Sequence, residues 1–233
     1  MTKRHVIGFI GFIGSGKDTA ADYLVNEKGF LRESFASSLK DVVAAVFGWN
    51  REFLEGKTKE SRAWRDQKDE WWSNRLGMHI TPRWVLQHWG TEVLRQGFHD
   101  DIWIASLENK LQKTSENIVI SDVRFPNEIK SIHNAGGIVV RVRRGEDPVW
   151  FDLAASANAG NESAKIMFAE YKIHSSESAW IGCNIDKVIF NNGSFDDLYR
   201  QVESLIIDPA LNLLASNLLE DYEESGDNLR TQF

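Results

Sequence analysis

Apolar positions along the chain fall into two patterns. Short continuous runs at Val6–Ile10, Ile118–Ile120, Ile138–Val142 and Val188–Phe190 predict strands, the first buried on both faces as in a parallel sheet and the second also buried. Residues 30–35 predict one more short strand. Between the runs, apolar residues recur at helical spacing. Ala20, Ala21, Leu24 and Val25 follow the first run, and Lys28-Gly29 ends their helix. Leu39, Val42, Val43, Val46 and Phe47 share one face of the next, with Ser37 or Ser38 as cap and Gly48 as stop. Thr81-Pro82 opens a helix that carries Trp84, Val85, Leu86, Trp89, Val93 and Leu94. Another follows Asp100-Asp101, and a further one runs from Pro126 to Gly136-Gly137. Phe195, Leu198, Val202, Leu205 and Ile206 line the last. Strands alternating with helices imply βαβ units, a parallel sheet covered on both faces, and ligands at the carboxyl ends of its strands.

Two stretches depart from this alternation. Residues 49–80 mix Trp49, Trp64, Trp71 and Trp72 with Arg51, Lys57, Lys59, Arg62, Arg65 and Arg75, which predicts an inserted helical region with aromatic anchors. Residues 146–186 have weak periodicity and clusters of Ala and Ser, which predicts a mobile insertion. With 233 residues, 42% hydrophobic and 26% charged, the composition is globular. Cys183 stands alone, which excludes an internal disulfide and a multi-cysteine metal site and fits a reducing cytosol. The net charge of −7 argues against a stable complex with nucleic acid, whose affinity comes largely from phosphate neutralisation. Residues 208–233 hold six acids against Arg230, so most of that charge sits in a C-terminal tail. No run is long enough to span a membrane. Lys3-Arg4 with Val6–Ile13 has the outline of a secretory signal, but the glycines that follow fit a phosphate loop better, and a cytoplasmic protein is expected.

The candidate chemistry begins at Gly11-Phe12-Ile13-Gly14-Ser15-Gly16-Lys17-Asp18-Thr19. Glycines here let backbone N–H groups curl around phosphate oxygens, and the helix start adds partial positive charge. Lys17 can bridge the β and γ phosphates. A plain strand–helix turn is the alternative, but the strand before, the helix after and a strand ending in Asp122 downstream favour the loop. A hydroxyl normally follows the lysine to meet Mg²⁺; here Asp18 precedes Thr19. Asp18 either holds metal through water, orients a water or Thr19, or is simply an acid in a first helical turn. Asp122 fits the second metal-side carboxylate, with a strand-end cap as its plainer role.

Arg124 follows that strand, and its guanidinium can clamp a phosphate. Arg143 and Arg144 fit the base of a closing lid, whereas Arg141 within the strand fits a structural role nearly as well. Ser37, Ser38 and Lys40 can hold an acceptor phosphate at their helix start. Arg83, Trp84 and Gln87 share a helix from which Gln reads a base edge and a ring stacks on a base; core packing is the plainer role for the tryptophans. His174-Ser175-Ser176-Glu177, with no cysteine cluster or second histidine near it, reads as a hydrogen-bonding lid segment.

Taken in order, Gly14–Thr19, Phe35–Asp41, Leu86–Glu92, Asp122–Glu128 and Gly136–Gly145 resemble the bacteriophage-type deoxynucleoside monophosphate kinases, a branch of the P-loop nucleotide kinases. The match extends over most of residues 5–207. The resemblance implies a three-layer α/β/α domain over 1–207 with a five-stranded parallel sheet, an NMP-binding insertion over about 36–97 and a lid over about 143–186. It implies ATP as donor, Mg²⁺, and a 5′-deoxynucleoside monophosphate as acceptor. Lys17, Arg124, Arg143 and Arg144 are then catalytic. Gly11, Gly14, Ser15, Gly16, Lys17, Asp18, Thr19 and Asn192 hold ATP, the last beside adenine. Ser37, Lys40, Arg83, Trp84, Gln87 and Arg124 hold the acceptor, and Asp122 with Asp18 organises the metal. Other readings are a phosphomevalonate-type or other small-molecule kinase, and a non-catalytic ATP-dependent protein stacking single strands on residues 49–89. A homodimer is compatible with the sequence, which leaves oligomeric state open.

Overall fold

Five strands form one parallel sheet: β1 (Val6–Ile10), β2 (Leu31–Glu33), β3 (Ile118–Ile120), β4 (Ile138–Arg143) and β5 (Lys187–Phe190), in the order β2-β3-β1-β4-β5. The computed structural model describes residues 4–206, so the acidic tail at 208–233 lies outside the described residues. β1 pairs with β3 from Val6↔Ile118 and with β4 up to Ile10↔Arg141. The strand order reverses beside β1, so a crevice opens at its carboxyl end.

Period-two alternation divides β1 between two cores. Ile7 and Phe9 pack with Ala20, Ala21 and Leu24 of α1 (Lys17–Lys28) and with Leu198 and Val202 of α12 (Phe195–Glu203). Val6 and Ile10 pack on the other face with α7 (Ile102–Gln112) and α8 (Pro126–Asn134). Gly8 makes that second contact close: a Cβ there would overlap the Ile132 side chain. The result is the expected three-layer α/β/α arrangement.

Between β2 and β3 lie α2 (Ser37–Phe47), α3 (Arg51–Glu55), α4 (Lys59–Asp66), α5 (Glu70–Leu76) and α6 (Pro82–His88), the last continuing as a π-helix over Trp89–Gln96, before α7. α2 begins without the hydroxyl cap expected from Ser37 or Ser38. This region has a core of its own, built from Leu39, Val43, Phe47, Trp49, Leu54, Ile80 and Val85 and ringed by Trp64, Trp72, Trp84, Trp89 and Trp103. Three indole N–H groups are satisfied internally: Trp49 donates to Asp69 (2.8 Å), Trp72 to the Phe47 carbonyl (3.1 Å) and Trp103 to the Gly90 carbonyl (3.0 Å). The tryptophan-rich stretch is thus largely packed interior, which corrects the reading of residues 49–89 as a stacking surface for single strands.

Between β4 and β5 lie α9 (Phe151–Asn158), α10 (Glu162–Ala169) and α11 (Ser175–Ser178). The expected insertion is built of these helices. Its periodicity is faint because its buried positions include Ala154, Ala157 and Ala164, with Trp180 and Ile181 supplying the bulk.

Leu54 is fully buried at the centre of the first insertion. Leu54→Ala should lower unfolding free energy by about 2–5 kcal/mol in urea titrations. An unchanged midpoint would show that this cluster is not a packed core.

Candidate active site

The chain leaves β1 through a turn that only glycine accepts cheaply. Gly11, Gly14 and Gly16 have φ of +143°, +78° and +104°, and Gly16 is the N-cap of α1. The turn presents the free amides of a helix start. Lys17 folds back over it, donating from Nζ to the carbonyls of Gly11 and Phe12, both at 2.8 Å. Burial holds its pKa below the ordinary lysine value; the neighbouring charge of Arg124 adds to this, while Asp18 and Glu177 oppose it. Asn191 donates to the Ser15 carbonyl (2.9 Å) and lies so close to Gly16 that a Cβ there would overlap its amide. A cavity of about 470 Å³ opens beside the turn, between Gly14, Gly16, Lys17 and Thr19 on one side and Arg144, Asn191 and Phe195 on the other.

At the end of β3, Asp122 faces the start of α2. Asp122 does not bond to the loop. Its carboxylate accepts from the Ser34 hydroxyl (2.7 Å) and the amides of Phe35 (3.3 Å) and Ala36 (3.4 Å), so it fixes the turn that starts α2. Three donors at that turn hold it there, in the strand-end capping role. Ser121 reaches the loop instead, donating to Asp18 (2.9 Å). Arg32 steadies the same place, donating to the Asp18 carbonyl (3.0 Å) and pairing with Asp22 (3.2 Å). Among the described residues no cluster of three or more His, Cys, Asp or Glu side chains converges as a metal cage. A Mg²⁺ carried on nucleotide phosphates needs only one or two carboxylates, and Asp18 with Thr19 at the cavity fits that donor set.

Arg124 stands within the electrostatic reach of Lys17. Its guanidinium donates to Ser176 (3.3 Å) and Glu177 (3.4 Å), so the second insertion meets the loop's cations here. Beneath it, Glu128 accepts from the amides of Arg124 (2.7 Å) and Phe125 (3.1 Å). Burial, then the charge of Asp122, pushes its pKa up to about 7. Pro126-x-Glu128 is a recognisable helix-start signal, but nothing in that pattern announces the burial of Glu128.

The remaining candidates separate into free and engaged groups. Arg144 lines the cavity, whereas Arg143 is turned to the Gly145 carbonyl (3.3 Å) and to Asp147 (3.6 Å). Arg141 is buried and ion-paired with Asp147. Asn192 accepts from the Gly145 amide (2.8 Å); its neighbour Asn191 is the one at the cavity. Lys40 is paired with Glu55 (2.6 Å), and Arg83 with Asp66. Ser37 accepts from Lys110 (2.8 Å), and Ser38 bonds to Ser106 (2.7 Å). Trp84 stacks on His88 at 4.8 Å, and Gln87 is exposed. Lys40, Arg83 and Trp84 are thus bonded or stacked within the first insertion and not gathered around Lys17 with Arg124. No described helix is long and apolar enough to cross a membrane.

No family model matches the chain. It is 31% identical over 215 residues to a protein of Acanthamoeba polyphaga mimivirus named "Putative deoxynucleotide monophosphate kinase", covering 86% of this chain and 95% of that one. It is 28% identical to the deoxynucleoside-5'-monophosphate kinase of Escherichia phage T5, over 53% of this chain and 69% of the relative. Among solved structures, a dephospho-CoA kinase from Campylobacter jejuni is similar over 86% of this chain and 94% of its own, at 15% identity and a TM-score of 0.43.

The raised pKa of Glu128 has a signed consequence for stability. Below about pH 4.5 the carboxyl is protonated whether folded or not, and its contribution is fully present; it is lost as pH rises through about 7. The loss is on the order of 3 kcal/mol. Glu128→Gln should remove that part of the fall in unfolding free energy between about pH 5 and pH 8. Equal pH dependence in both proteins would contradict the buried, neutral-at-low-pH assignment.

Proposed function

The chain belongs to the deoxynucleoside monophosphate kinases, and we propose that it moves the γ-phosphoryl group of ATP to the 5′-phosphate of a deoxynucleoside monophosphate, giving ADP and a deoxynucleoside diphosphate. The carrying observation is that a left-handed glycine turn, the α1 amides, Lys17 and Arg124 meet at the carboxyl end of β1, with Arg144 across the cavity. Such a site suits polyphosphate and gives the migrating group a positive surround.

The acceptor phosphate is already nucleophilic, so positioning and charge neutralisation dominate, with no strong base needed. Loop amides and Lys17 hold the donor phosphates. Arg144 takes the donor from the opposite wall, beside Asn191 and Phe195, where adenine finds a ring to stack on. Arg124 stands between donor and acceptor. Its pairing with Glu177 is exposed, weak and readily exchanged for the charge-assisted, two-pronged contact of a phosphate. Asp122 serves the acceptor side by fixing the start of α2. Mg²⁺, bound with ATP, would be held by Asp18 and Thr19, and it supplies neutralisation of phosphate charge. The first insertion then serves the acceptor and the second acts as lid.

Lys17→Ala should lower turnover by at least about 100-fold while circular dichroism stays unchanged. Near-normal phosphorylation would refute the role of Lys17. The two neighbouring arginines should differ: Arg144→Ala raises KM for ATP by about 10-fold or more, while Arg143→Ala changes it by less than about 3-fold. The reverse order would place the wrong arginine on the donor. ADP release measured with each dNMP and NMP in turn tests the acceptor class. Preference for a non-nucleotide acceptor would overturn it.

A further inference from the structure

Phe12 belongs to two structures at once. Its carbonyl is part of the glycine turn, accepting from Lys17 Nζ (2.8 Å) and from the Ser15 amide (3.2 Å). Its ring belongs to the core of the second insertion. The ring centroid lies 5.6 Å from Trp150, 6.2 Å from Phe151 and 5.3 Å from Trp180, mostly edge-on or tilted. Arg141 of β4 fastens this group. Its guanidinium stands 5.9, 4.6 and 5.1 Å from the rings of Phe12, Phe151 and Trp180, and Asp147 pairs with it at the entry to the insertion. Arg141 is only 9% exposed, so a planar cation is held among three rings largely away from water, where such contacts are strongest.

The geometry has a mechanical consequence. A shift of α9 or of Trp180 moves the Phe12 ring, and with it the carbonyl that holds the Lys17 ammonium. The same insertion presents Ser176 and Glu177 to Arg124. Packed aromatic groups resist small continuous deformation, which favours concerted movement of the insertion and the loop.

We propose that Phe12, clamped by Arg141, is a positioning residue that sets the phosphate-binding turn from the second insertion and so couples that insertion to the grip on the donor triphosphate. This rests on the reading of the turn as the ATP site. Neither residue touches the reacting atoms.

The test is the affinity for ATP, measured by calorimetry without acceptor, together with KM for the preferred dNMP and the thermal midpoint. Phe12→Ala should weaken ATP binding by about 10-fold, within the usual 5–150-fold range of coupling, and change KM for the dNMP by less than about 2-fold. Phe12→Leu, which keeps apolar bulk, should restore ATP affinity to within about 3-fold of wild type. Arg141→Lys keeps the charge for Asp147 but loses the planar stack, and should weaken ATP binding by about 5-fold or more. If Phe12→Ala does not fold, Phe12→Leu against Arg141→Lys decides the same question. A lowered thermal midpoint with wild-type ATP affinity in Phe12→Ala and Arg141→Lys would show packing alone and overturn the proposal. Equal weakening of ATP and dNMP would also overturn it. Failure of the wild type itself to bind ATP would instead count against the functional reading.

Discussion

β1 is buried on both faces and hydrogen-bonded on both edges, so the chain can leave it in one direction only. That exit must turn at once into α1, and the turn needs left-handed backbone at Gly14 and Gly16. The sharp turn exposes amide donors at the head of a helix, and those donors need an anion or water. The parallel neighbours of β1 end on the same side, which brings Ser121 to Arg124 from one edge and Arg143 and Arg144 from the other. Strand order therefore brings these positions together, and the choice of Lys17, Arg124, Arg143 and Arg144 makes the meeting point cationic.

Convergence of like charge has to be managed. Lys17 and Arg124 disfavour each other, and the loop carbonyls, Asp18 and Glu177 offset this. The arginines divide by how firmly they are held. Arg141 is locked among rings and Asp147, and Arg143 shares that carboxylate. Arg124 sits in an exposed pair of the kind worth only about 0–1 kcal/mol, which a phosphate outcompetes. Affinity for an anion thus resides where the protein's own partners are weakest.

Much of this was legible in the sequence. The continuous apolar runs mark the strands, most plainly the buried β1, β3 and β4, and the glycine turn lies between the first strand and the first helix as its sequence suggests. Other features depended on tertiary neighbours. The partners of Asp122 at Ser34, Phe35 and Ala36 are distant from it in sequence, so its bonds to the start of α2 are a tertiary feature. Asn191 and Asn192 are alike in composition, and only the turn geometry sends one to the cavity and the other to Gly145. The alanine-lined helices between β4 and β5 hide their period, since alanine is a weak signal of burial. Glu128 was passed over because one carboxylate in a helix start gives no sign of the burial around it.

The proposed reaction is direct transfer between two phosphates held at the end of β1. The measurement closest to it follows label from γ-³²P-ATP in the presence of a dNMP. Label recovered in the β position of the dNDP, in equal amount to ADP formed, is the expected result. Label recovered chiefly as inorganic phosphate would contradict it, since the site would then be delivering the group to water.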